Sequence, residues 1–325
     1  MKEAKPKISI TGATGLVGRA LVAQLTALGR FEVLALTRQF PANRVTGAEY
    51  LLVEGLSSQT QWLGAMDGVH TVVHAAARVH VMHDTEADPL TVFRAVNVEG
   101  TLNLARQAAA AGVKRFVFIS SVKVNGESTR PGCAFTETDA PDPQDAYGLS
   151  KHEAEQGLRQ IAADTGMEVV IIRPPLVYGP GVKANFAALM HAVERGWPLP
   201  LGAVHNQRSL VALDNLVDFI VTCITHPQAA NQTFLVSDGQ DLSTIELVRG
   251  MARAAGVPAR LLPVPVWALQ LGATLLGKGD AVQRLCGNLQ VDISKARQLL
   301  GWVPPISSDE GLRRAVKGAL HEKTI

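Results

Sequence analysis

Only three cysteines occur in the 325 residues, Cys133, Cys223 and Cys286, far apart and without a CxxC pair. Such spacing excludes a disulfide framework, argues against structural zinc and leaves the thiols as packing residues. Charge of one sign is equally scarce. The formal net charge is +2 with 18% charged residues, and with no basic stripe or acidic tail nucleic acid is not expected as a partner. Also missing is an apolar run of the roughly 20 residues that a spanning helix needs. The most apolar stretch, VPVWALQLGATLLG at 264–277, reads as a buried or interface helix rather than a membrane-surface contact, and no transmembrane segment is expected. MKEAKPK passes directly into ISITGATG, which leaves no signal-like apolar region and predicts a cytoplasmic protein. Internal repeats and low-complexity linkers are absent.

What is present is a 47% hydrophobic content, enough for a large core. Short apolar runs (KISITG, EVLALT, YLLVE, TVVHAAA, RFVFISS, EVVIIRP) alternate with helical patterns. Continuous apolar strands separated by helices predict an α/β fold, a doubly wound parallel sheet covered on both faces. The rhythm changes after Pro174 and Pro175. The expected organisation is a nucleotide-binding domain over 1–174, with 209–240 returning to it, and a smaller C-terminal lobe over 175–325.

In TGATGLVG, Gly12, Gly15 and Gly18 stand after the first strand and around Leu16, where a helix opens. Glycines there permit a tight turn and close backbone approach to a pyrophosphate, which the helix N-terminus also attracts. At the end of the second strand, where an acid would hold the adenosine ribose hydroxyls of NAD, stand Thr37 and Arg38. A guanidinium there pairs with a 2′-phosphate, so NADP(H) is favoured and NAD(H) is the alternative. A solvated surface arginine is the other reading of Arg38.

In AYGLSKHEAE, Tyr147 and Lys151 are four residues apart. On a helix they share a face, so the ammonium could lower the tyrosine pKa and reach a nicotinamide ribose. Ser120 and Ser121 end the fifth strand at the carboxyl edge of the sheet, where open α/β folds bind ligands. Glycine loop, strand-end serine and Tyr-x-x-x-Lys, in that order, point to catalysis.

These motifs, with VVHAAA, NVEGT, ISSVKVNG, RPPLVYGPG, RSLVALDNLVD and VDISKARQLLGW, resemble the extended short-chain dehydrogenases/reductases of the NAD-dependent epimerase/dehydratase family, over nearly the whole chain. The resemblance implies a Rossmann domain with a C-terminal substrate lobe and a UDP-sugar substrate; a homodimer is left open. It implies Ser121, Tyr147 and Lys151 as catalytic residues, Ser121 polarising the C4 oxygen and Tyr147 acting as acid/base. Cofactor contacts are implied for Gly12, Gly15, Leu16, Gly18, Thr37, Arg38, His74, Ala75, Ala76, Ser120, Tyr147 and Lys151. Asn97 is either part of the active-site network or a helix-packing residue. Pro174, Pro175 and Leu176 would pack on the nicotinamide. Substrate contacts would come from Ser121, Tyr147, Arg208 on the diphosphate, Arg284 and Leu289.

Several positions depart from the family pattern. Val122 and Lys123 stand where sugar dehydratases carry an Asp-Glu pair, so dehydration is not expected. Asn125 replaces a common tyrosine, and Gly55 replaces the usual acid near the adenine. His74, His80 and His83 cluster in HAAARVHVMHD, yet no metal is expected, and they read as strand-end, sugar-facing or solvated imidazoles. The resemblance is strongest to bacterial UDP-4-keto-6-deoxy-N-acetylhexosamine 4-reductases of polysaccharide synthesis. A UDP-glucose or UDP-N-acetylglucosamine 4-epimerase is the alternative, and a non-catalytic dinucleotide-sensing regulator is a remote one.

Overall fold

In the computed structural model, residues 4–62, 64–79, 88–275 and 279–322 are described. Ten strands are formed: β1 (Lys7–Thr11), β2 (Glu32–Thr37), β3 (Glu49–Leu52), β4 (Val69–His74), β5 (Arg115–Ile119), β6 (Glu168–Arg173), β7 (Leu176–Tyr178), β8 (Arg208–Ala212), β9 (Thr233–Leu235) and β10 (Asp241–Leu242). The helices are α1 (Leu16–Leu28), α2 (Pro89–Phe93), α3 (Thr101–Ala110), α4 (Ala146–Thr165), α5 (Ala184–Glu194), α6 (Leu213–Thr225), α7 (Thr244–Ala255), α8 (Val266–Leu275), α9 (Gly279–Cys286), α10 (Ser294–Leu300) and α11 (Ser308–Glu322).

Seven strands form one parallel sheet in the order β3-β2-β1-β4-β5-β6-β9. Strand alternation divides its side chains. Ile8, Ile10, Val117 and Ile172 pack with Leu21, Leu25 and Phe219 on one face; Leu36, Phe116, Phe118 and Ile171 pack with Leu104 and Leu158 on the other. The inner strands are therefore buried on both sides, which is why their sequences run almost continuously apolar, whereas the edge strand β3 stays partly exposed. The carboxyl ends at Thr11, Thr37, His74, Ile119 and Arg173 converge on one edge, and the order reverses between β1 and β4, where such sheets take ligands.

Three short strands, β10-β8-β7, make a second sheet. The stretch 209–240, expected to return to the nucleotide-binding half, divides: β8 joins this small sheet, whereas β9 joins the large one and α6 packs on α1. A separate core joins α5, α7 and α11 through Phe186, Met190, Val248, Met251 and Leu312.

The apolar helix α8 departs from its expected burial. Only Ala273 is buried, while Trp267, Leu271 and Leu275 are exposed, because α8 packs chiefly against α9 at the surface. Among the described residues no helix is long and apolar enough to cross a membrane.

Candidate active site

At the end of β1 the chain turns through Gly12, whose φ of +69° is costly for other residues. A Cβ on Gly12 would lie 2.7 Å from the Ala76 nitrogen, and one on Gly18 would lie 2.2 Å from the Gly12 oxygen. These glycines thus let the loop meet the end of β4 and let α1 pack on it. Gly15 caps α1 without a side-chain hydrogen bond, and the first turn, starting at Leu16, has no acid. The N–H groups there keep their partial positive charge for an anion. Thr37 ends β2 with Oγ1 buried and without a hydrogen-bond partner among the described residues, beside exposed Arg38. A glycine cradle that a Cβ would fill, an uncapped helix start and an orphaned hydroxyl fit a dinucleotide along this edge.

His74 ends β4, as expected, but its side chain turns inward. Its ring is fully buried, 2.6 Å from Thr11 Oγ1 and 2.9 Å from Thr101 Oγ1, and stacks on Phe118. Burial, then the charge of Lys151, lowers its pKa to about 3, so the imidazole is neutral. In register with Thr11, it points under α3 rather than into the groove, and it braces the glycine loop through Thr11, whose Oγ1 also accepts from the Ala76 N–H at 3.3 Å. Ala75 and Ala76 line that junction with backbone. His80 and His83 lie outside the described residues, among which no cluster of three metal-ligating side chains occurs.

Ser120 is the second reassignment. Its hydroxyl donates at 2.6 Å to buried Glu155, away from the groove. Arg173 holds the same carboxylate with Nε at 2.9 Å and Nη2 at 2.6 Å, and its Nη1 donates to Asn125 Oδ1 at 2.9 Å. Burial alone would raise the Glu155 pKa, but the hydrogen bonds and charge of Arg173 hold it below the usual carboxylate range. Asn125, at the position of a common tyrosine, thus ties the turn after β5 to β6.

Ser121 begins a short turn, accepting from the Lys123 N–H at 3.2 Å. Helix α4 starts beside it because Asp145 caps Gly148 N–H at 2.7 Å. Gly148 permits the approach: a Cβ there would sit 2.9 Å from the Lys123 oxygen. Tyr147 and Lys151 share a face as expected, with Lys151 Nζ 5.9 Å from the Tyr147 ring centroid and donating to the Ile119 carbonyl at 2.8 Å. The expected lowering of the tyrosine pKa is not realised. Burial and then the Asp145 charge hold the phenol above its ordinary range, while burial pulls Lys151 down to about 7 against the opposing charge of Glu155. Asn97, in a π-helical turn before α3, donates to Arg78 O and Ser150 Oγ, each at 3.0 Å. It fastens α4 to the segment that follows β4.

A cavity of about 540 Å³ opens between the halves and contains Ser121, Tyr147, Pro175, Leu176, Arg208, Arg284 and Leu289. Pro174 is buried behind it, its carbonyl accepting from Val122 N–H at 3.0 Å. Arg208 and Leu289 meet because the segment after α9 pairs with β8: Ser209 N–H donates to the Leu289 carbonyl at 2.8 Å. Arg208 Nη1 donates to the Gly287 carbonyl at 2.9 Å, and burial lowers its pKa. Sequence reading did not place the other residues of this wall there, among them Lys123, Glu127, Leu189, Leu242, Leu247 and Leu285. Lys123 Nζ bridges Glu127 at 2.7 Å and Asp145, so a carboxylate does face the cavity, but it is paired with an ammonium.

The description of the NAD-dependent epimerase/dehydratase family matches residues 8–237. A Vibrio cholerae protein named UDP-glucose 4-epimerase is 52% identical over 316 residues, covering 96% of this chain and 95% of that one. Among solved structures, a UDP-glucose 4-epimerase with UDP-glucose from Thermotoga maritima aligns with a TM-score of 0.76 at 22% identity, over 98% of this chain and 99% of that one. The UDP-glucuronic acid 4-epimerase of Bacillus cereus in complex with NAD aligns with a TM-score of 0.77 at 19% identity, over 96% of each chain. With its parallel sheet, glycine loop, strand-end serine and Tyr-x-x-x-Lys helix, the chain belongs to the NAD-dependent epimerase/dehydratase family, within the extended short-chain dehydrogenases/reductases.

Proposed function

We propose that this enzyme transfers hydride at C4 of a UDP-linked hexose and works as a 4-epimerase. The observation that carries the reading is the single cavity holding Ser121 and Tyr147 together with Arg208 and Arg284, an acid/base pair and two cations in reach of one nucleotide sugar. When bound, the nicotinamide accepts and returns hydride. Tyr147 moves the proton at O4, Ser121 hydrogen-bonds that oxygen, and Lys151, titrating at about 7, supplies charge beside the phenol and reaches the ribose. Arg208 and Arg284 pair with the diphosphate, and the leucine wall, including Leu289, takes the less polar sugar face. Lys123, bound to Glu127 and Asp145, stands where elimination would require free acids, so dehydration is not proposed. The epimerase direction rests on the near full-length V. cholerae relative.

A second reading, a UDP-4-keto-6-deoxyhexosamine 4-reductase, is favoured by three features of this chain. Thr37-Arg38 suits the 2′-phosphate of NADPH, a cofactor that must exchange each turnover. The cavity wall includes Leu189, Leu242, Leu247 and Leu289, which suit a 6-methyl group. Burial keeps Tyr147 protonated, as donation to a 4-keto oxygen requires. One experiment separates the two: UDP-glucose and UDP-N-acetylglucosamine with catalytic NAD, and a UDP-4-keto-6-deoxy-N-acetylhexosamine with NADPH, each followed by NMR. C4 epimers formed without net cofactor loss support the epimerase. Stoichiometric NADPH consumption with one C4 alcohol, and no epimerisation, would replace it with the reductase.

Fluorescence titration tests the cofactor preference. Arg38 pairing predicts tighter binding of NADPH than NADH, and loss of that difference in Arg38→Ala. Equal affinities in the parent protein, or an unchanged preference in Arg38→Ala, would overturn the 2′-phosphate role of Arg38.

A further inference from the structure

Two of the four tryptophans, Trp62 and Trp302, are buried, whereas Trp197 and Trp267 are 57% and 68% exposed on the C-terminal lobe. They belong to one surface region. The segment after Trp197 pairs with the one leading to α8: Leu199 N–H donates to the Arg260 carbonyl and Leu262 N–H to the Leu199 carbonyl, both at 2.8 Å. Exposed Leu262 follows, and α8 then presents Trp267, Leu271 and Leu275 at intervals of four residues, all exposed. A helix apolar on nearly every face normally lies in a core or against lipid; this one has a single buried residue.

Charge identifies the occupant. From Val257 to Gly279 the sequence contains no Asp or Glu, but has Arg260 near one end and Lys278 at the other. Arg195, two residues before Trp197, and Arg260 are both exposed and have no carboxylate partner among the described residues. Exposed tryptophans and leucines beside two exposed arginines are the pattern of a helix lying in the headgroup boundary of an anionic membrane. A symmetric contact with a second copy would have to meet those arginines with carboxylates from the same strip, and the sequence from Val257 to Gly279 has none.

We propose that the C-terminal lobe rests on an anionic lipid bilayer through Trp197, Leu262 and the Trp267-Leu271-Leu275 strip of α8. The contact is peripheral. Since α8 packs on α9, which carries Arg284 and Leu285 of the cavity wall, the bound lobe holds that wall beside the membrane surface.

Vesicle flotation of the full chain tests this, with phosphatidylcholine alone and with phosphatidylglycerol added. Binding to the anionic vesicles, weakened by salt and reduced by about tenfold or more in Trp267→Glu/Leu271→Glu, is expected. Arg195→Gln/Arg260→Gln keeps the apolar strip and should lose mainly the preference for anionic lipid. Unchanged thermal melting and dinucleotide titration in both variants verify that the fold is intact. No flotation of the parent protein, or equal flotation of the variants, would overturn the proposal. So would a parent dimer in sedimentation that becomes monomeric in Trp267→Glu/Leu271→Glu, since a second copy would then cover the strip.

Discussion

Tyr147 is half-buried between Phe93, edge-on at 6.1 Å, and the cavity. Its oxygen is the proposed proton carrier, so Tyr147→Phe should leave dinucleotide binding intact and cut turnover by roughly 10²-fold or more, read from steady-state rates beside a binding titration. Near-normal turnover would place the proton donor elsewhere. Behind it, His74 bears on stability. Its folded pKa of about 3 lies below the ordinary imidazole value of 6.5, so the unfolded chain takes up the proton first as the medium acidifies. Folding stability is therefore lost progressively as pH falls from about 6.5 towards about 3, and His74→Gln should flatten that part of the curve. Heteronuclear NMR of the folded protein should show a neutral His74 ring at pH values where exposed histidines are charged. A His74 titrating with them would contradict its burial between Thr11 and Thr101.

At the level of elements, the carboxyl edge is held by contacts that no local motif announces. Glycine loop, strand-end serine and Tyr-x-x-x-Lys helix were legible because each acts within one turn of chain, where spacing alone sets the geometry. The Ser120-Glu155-Arg173-Asn125 cluster was not, since its members come from the segment after β5, α4 and β6 and meet only on folding. The same limit hid the direction of Ser120 and His74: adjacency in the chain put them at the sheet edge, where they stand, but not which way their side chains turn. Helix α8 escaped for another reason, because a pattern apolar all round does not tell core from surface. The cluster predicts that Glu155→Ala, which strands Arg173 in the interior, costs about 3–5 kcal/mol in denaturant unfolding, with the midpoint shifted and the slope retained. A cost within about 0.5 kcal/mol, the range of ordinary surface changes, would mean that the pair carries no such weight. At the loop, Gly18→Ala would set a Cβ 2.2 Å from the Gly12 oxygen. Dinucleotide affinity should fall in that variant while Gly29→Ala, far from the groove, should leave it unchanged.

Across the whole molecule, the large sheet brings the proposed acid/base residues to one edge, and the lobe built on β7, β8, α5, α7, α8 and α9 closes the cavity over them with two arginines and several leucines. Sequence alone indicated the doubly wound sheet, Ser121, Tyr147, Arg208, Arg284 and Leu289, all of which line that space. The remaining wall residues are scattered over 121–289, where nothing in their local pattern marks them. The central claim is that the reacting carbon is C4, and deuterium at that carbon tests it most directly. UDP-hexose labelled at C4 should turn over to its C4 epimer with the deuterium still at C4, carried off and returned. Epimer formed with the label washed into solvent, or deuterium retained while configuration changes at another carbon, would contradict the account.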